Sequence, residues 1–88
     1  MKEPYEIYWD ELSREMKRRF RQPAPSDADL QEAEYAAAEA VAYHLVEQLH
    51  FGPGEAQEVV EAFRAAKVDK EQLKHVWTDI VLRRQRRH

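Results

Sequence analysis

Cysteine is absent from this chain of 88 residues, and so is asparagine. Without thiols there is no disulfide, no thiolate metal ligand and no cysteine nucleophile. Side-chain hydroxyls outside tyrosine come only from Ser13, Ser26 and Thr78, and glycine occurs only as Gly52 and Gly54. No run of apolar residues approaches the roughly 18 needed to span a bilayer. The opening stretch MKEPYEIYWDEL mixes acids with aromatics and does not read as a secretory signal. These absences predict a cytoplasmic protein that makes no use of a membrane.

What remains is rich in helix formers. Twelve alanines, with abundant Glu, Gln and Arg, dominate a chain in which β-branched residues never alternate with polar ones over a strand length. A length of 88 residues fits one domain, since domains run from about 50 to 250. Its 26 large apolar residues make a thin core. The expected fold class is all-α: one compact bundle of about four helices near 4–21, 27–51, 55–66 and 69–84, with 83–88 a basic tail that frays or continues the last helix. A homodimer in which the long second helix pairs with its copy would also enlarge the core.

The helix boundaries follow from local chemistry. Pro4 suits a first turn, and Tyr5, Tyr8, Trp9, Leu12, Met16 and Phe20 recur at intervals of three and four to make one stripe. Pro23 disfavours helical geometry at Gln22, which makes QPAP an extended link. Ser26 is an N-cap, with Asp27 and Asp29 at the positive end of the second helix. Leu30, Ala37, Val41, Leu45 and Leu49 form its apolar line, widened by Ala33, Ala38, Ala42 and Val46. Gly52 is expected as its left-handed terminator, with Pro53 blocking continuation. Ala56, Val59, Val60, Phe63 and Ala66 face inward from the third helix. Asp69 with Gln72 makes a capping box before Leu73, Val76, Trp77, Ile80 and Val81 of the fourth.

A formal net charge of -3 conceals a segregation. From Gln22 to Phe63 there are nine acids and no Lys or Arg, whereas Arg14 to Arg21 holds five basic residues and Arg64 to His88 holds eight. Two accounts fit. Basic outer helices can lie against acidic central ones and select the topology, or one face can steer an oppositely charged partner. The candidate contacts are Arg83, Arg84, Arg86 and Arg87, followed by Arg18, Arg19 and Arg21, with Tyr5 and Trp9 as aromatic anchors.

Other chemistries find weaker footing. Glu47 and His50 have the spacing of a carboxylate-bridged metal helix, but no second such motif exists. No nucleophile adjoins His44 or His75, and short loops leave little room for a substrate pocket of about 300 Å³. A helix-turn-helix over AFRAAKVDKEQLKHVW would present Asp69 and Glu71 where donors are needed. The sequence therefore predicts a small non-catalytic helical interaction protein without a cofactor: a regulatory subunit, adaptor or inhibitor that binds a protein partner. A nucleic-acid-binding protein using the same arginines as phosphate contacts is the alternative.

Overall fold

The computed structural model describes residues 2–19, 26–66 and 69–86. Four helices account for nearly all of them: α1 (Pro4–Arg19), α2 (Asp27–Glu47), α3 (Pro53–Ala65) and α4 (Lys70–Arg86). The fold is a compact all-α bundle. Phe20, Arg21, the QPAP link, the Lys67–Val68 corner and Arg87 lie outside the described residues.

Each helix starts where a side chain can take up orphan amide groups. The Ser26 hydroxyl accepts from the Asp29 amide (3.3 Å), and the Asp29 carboxylate accepts from the Ser26 amide in return (3.0 Å). Those bonds from Ser26, foremost its backbone N–H, hold the Asp29 carboxyl below the usual carboxylate range. The Asp69 carboxylate accepts from the amides of Glu71 and Gln72 at the head of α4. At α3 the Glu55 carboxylate reaches back to the Gly52 amide (3.3 Å).

Two boundaries differ from expectation. The second helix stops at Glu47 rather than Phe51, and the left-handed residue is His50 (φ 59°), not Gly52. Pro53 is the reason. It occupies the first turn of α3 and drives the residue before it out of helical geometry, so Gly52 is extended (φ −67°, ψ 155°). The reversal must then come earlier, and His50 is of a type that tolerates the left-handed region better than most. The Phe51 amide bonds back to the Leu45 carbonyl (2.9 Å), and its ring turns into the core. The third helix correspondingly begins at Pro53, two residues before the expected start. At the other end of the chain α4 is helical through Arg86.

The helices neighbour one another in a ring: α1 beside α2, α2 beside α3, α3 beside α4 and α4 beside α1, with the α1–α2 contact the most extensive. Arg19 at the end of α1 meets Asp29 and Glu32 at the start of α2, and Arg84 near the end of α4 meets Glu55 at the start of α3. Consecutive helices therefore run antiparallel, as short connections require. The core is Tyr8 and Leu12 of α1, Ala33, Ala37, Ala38, Val41 and Leu45 of α2, then Phe51, Ala56, Val59, Val60, Phe63, Leu73 and Trp77. Phe63 lies at its centre, 5.4 Å from the Tyr8 ring and 6.5 Å from the Trp77 ring. Trp77 stacks on Phe51 and donates its indole N–H to Glu3 (2.6 Å), which ties the start of α1 to α4.

Burial pushes the Tyr8 phenol up to about 12, with the Glu34 carboxylate adding to the effect. Its ordinary value is about 10, so the folded state holds this proton more tightly than the unfolded chain. The stabilising contribution is complete below about pH 10 and is lost as pH rises toward 12. Between those limits Tyr8→Phe should flatten the fall of the melting temperature relative to the parent. Parallel curves for the two proteins would show that Tyr8 ionises freely in the fold.

Candidate interaction surface

Helix capping and antiparallel packing place the two arginine clusters far apart. Arg18 and Arg19 close α1 at the end where α2 begins, while Arg83, Arg84 and Arg86 close α4 beside the α2–α3 turn. The length of α1, 16 residues at about 1.5 Å each, separates them along the bundle axis. They do not form one basic face. The helices α3 and α4 also lie side by side as an antiparallel hairpin, whereas a helix-turn-helix crosses at about 90–120°.

Several of these arginines are occupied within the fold. Arg19 bonds Glu32 (2.6 Å) and faces Glu15 (3.5 Å) and Asp29 (3.6 Å). The bond to Glu32 raises its pKa further above an already high value. Arg18 pairs with Glu15 one turn back (3.3 Å). Arg84 lies over the Phe51 ring (3.9 Å to the centroid) and pairs with Glu55. Arg64, not among the predicted contacts, faces Glu34 (3.8 Å) and covers the Tyr35 ring (4.8 Å). The pairs of Arg19, Arg64 and Arg84 each join a basic segment to the acidic middle. The charge segregation thus serves internal packing at three helix contacts. Arg83 and Arg86 are exposed and make no ion pair among the described residues.

The N-terminal aromatics divide. Tyr8 is core at 1% exposure, while Tyr5 and Trp9 are half-buried against it together with Met16. Trp9 borders a concavity lined by Lys2, Asp10, Ser13, Arg14 and Lys17. All of these belong to α1 or the residue pair before it, so this is surface relief on one helix. A cleft of about 150 Å³ runs between α3 and α4, with Phe51, Val59 and Ile80 as walls and Glu55, Glu58, Arg83 and Arg84 at the rim. Arg84 and its Glu55 partner cross that rim.

A candidate surface outside the predicted contacts is the outward side of α2. Tyr35 and Tyr43 are 55% and 69% exposed, the most exposed aromatics of the described residues. Glu39 lies between them, with half-buried Ala36, Ala42 and Val46 alongside. Tyr35, Glu39 and Tyr43 are offset by two residues from Ala37, Val41 and Leu45, which is about 200° around a helix and hence the opposite side. That spacing in EYAAAEAVAYHLV is the signal that identifies them. The outward side of α2 thus carries two exposed tyrosines among Glu32, Glu39 and Glu47, where a surface helix ordinarily presents polar residues throughout. Tyr35, Glu39 and Ala42 also border a shallow cleft against Gln57, Val60 and Arg64 of α3.

The α2 helix ends before His50, so Glu47 and His50 do not share a helical face, and no group of three potential ligands is placed to hold a metal ion among the described residues. No helix of the described residues is long and apolar enough to cross a membrane. The chain matches no protein-family model, and neither the curated proteins nor the solved structures contain a significant match to it. Its class is therefore defined by architecture alone: a small four-helix bundle with an apolar, acidic outer helix face.

Proposed function

We propose that the protein is a small non-catalytic interaction module, a regulatory subunit, adaptor or inhibitor that docks on a larger protein through the outward face of α2. One observation carries this reading. Tyr35 and Tyr43 stand exposed on the longest helix, with alanines and Val46 beside them and acids at the edge. Tyrosine combines a large contact area with a polar tip and recurs at the centres of protein interfaces. The candidate arginines take a secondary place, because Arg19 and Arg84 already pair with acids of neighbouring helices and Arg18 pairs with Glu15 of its own helix. That division also favours protein docking over nucleic-acid binding: the footprint of phosphate binding is a concentrated basic patch or stripe, and here the cations divide between opposite ends of the bundle with Arg18, Arg19 and Arg84 paired to acids.

A photo-crosslinking side chain placed at Tyr43 in the native cell tests the reading, with Glu61 on the outer side of α3 as control. The expected result is a discrete crosslinked protein from position 43 and none from position 61. Equal labelling from both, or none from position 43, removes α2 as the docking face.

A further inference from the structure

The outer face of α2 is selective in charge as well as apolar. Between Asp27 and Glu47 the helix has Asp27, Asp29, Glu32, Glu34, Glu39 and Glu47 and no Lys or Arg. Glu39 and Glu47 flank Tyr43 on the exposed side and have no ion-pair partner among the described residues. Arg64, the cation that borders this surface, is already held by Glu34 and the Tyr35 ring. A ligand covering Tyr35, Ala42, Tyr43 and Val46 would therefore bring its own positive charges to Glu39 and Glu47, or leave those carboxylates desolvated and unpaired.

Resting on the docking reading above, we infer that the occupant of this face is a basic amphipathic helix from a different protein. A helix laid along α2 places apolar residues at i, i+3, i+4 and i+7 over the two tyrosines, with Lys or Arg on its flanks reaching the glutamates. Ala36 and Ala42 have no bulk to hold its backbone away. The 21 residues of α2 extend about 31 Å, room for a partner of some five to six turns. A second copy of this chain fits poorly. Two α2 faces meeting about a twofold axis set acid against acid, since no cation occurs anywhere from Gln22 to Phe63. The outer side of α4 offers Leu82 and Arg86 but also Glu71 and Asp79, so its charges cancel and it too is a poor complement.

Two labelled synthetic peptides of about 20 residues test the charge rule, alike in their leucine pattern but with either Lys and Arg or Glu at the flanks. Fluorescence anisotropy with the full chain should show the basic peptide binding at least about tenfold more tightly than the acidic one, with affinity falling as salt rises. Tyr43→Ser should weaken it by about tenfold or more, as for an interface hot spot. Glu39→Gln with Glu47→Gln should flatten the salt dependence, whereas the control pair Glu58→Gln with Glu61→Gln on α3 should leave it unchanged. Equal affinity for both peptides overturns the inference, as does an equal effect of the α3 control. So does a dimer in sedimentation that Tyr43→Lys dissociates, which would make the occupant a second copy. If the peptides fail while the Tyr43 crosslink persists, α2 remains the docking face and only its charge preference is lost. If both fail, the docking reading falls as well.

Discussion

Phe63→Ala should destabilise the bundle by about 3–5 kcal/mol, the usual cost of emptying a large aromatic site in a core. Phe63 is fully buried and contacts rings from two other elements, Tyr8 of α1 and Trp77 of α4. Removing it takes away a side chain that α1, α3 and α4 share. Helices on three sides cannot all collapse into the same void, so the cavity persists. At roughly 0.05–0.15 kcal/mol per residue, a chain of this length has about 4–13 kcal/mol in total. The variant should therefore melt on the order of 15 °C lower or be largely unfolded at room temperature. Thermal denaturation followed by far-ultraviolet circular dichroism measures this. Phe63→Leu, which fills most of the volume, should recover the greater part of the loss. A shift of only a few degrees for Phe63→Ala would mean that α3 is not anchored through this ring.

The opposite error, adding bulk, should be costly at Ala37. This residue is fully buried, and its helical position turns it to the side of α2 away from the α3-facing residues Ala38 and Ala42. That side meets α1, the most extensive helix contact in the bundle. Small residues there allow the two backbones to approach closely, so Ala37→Leu must either force α1 outward or adopt a strained rotamer. The expected cost is about 1–3 kcal/mol, read as a lower denaturant midpoint at unchanged slope. Ala28→Leu, exposed in the first turn of the same helix, is the control and should stay within about 0.5 kcal/mol of the parent. Leu and Ala have similar helix propensity, so the contrast isolates packing. A neutral Ala37→Leu would show that α1 and α2 are not closely seated.

Much of the architecture is legible in the residues because its determinants are local. Ser26 and Asp69 announce helix starts, since an oxygen that takes up free amides works within three residues of itself. The stripes of Tyr8 with Leu12, of Val41 with Leu45 and of Leu73 with Trp77 appear at helical spacing and all prove buried. Sequence and structure differ at the end of α2 because two local rules compete there. Glycine is the usual left-handed terminator, yet the residue before Pro53 must be extended, and the second rule prevails at Gly52. His50 then makes the reversal, and Phe51, placed on the helix when Gly52 is taken as its terminator, becomes a core residue of the turn.

The candidate site was less legible, for a physical reason visible in the arginines. Charge is countable along a chain, but its availability depends on what faces it. Arg84 and Arg83 are adjacent in sequence, and only Arg84 lies over Phe51 with Glu55 beside it. Arg19 and Glu32 are 13 residues apart and meet only because α2 turns back along α1. The sequence by itself determined four amphipathic helices, the caps that start α2 and α4, and a chain with acids in its middle and cations toward both ends. Only the tertiary structure decided which cations are neutralised within the fold, that the two arginine clusters lie at opposite ends, and that α2 keeps Tyr35 and Tyr43 uncovered. Periodicity and capping act over a few neighbouring residues. Pairing and exposure are properties of distant segments brought together, which no single stretch of sequence contains.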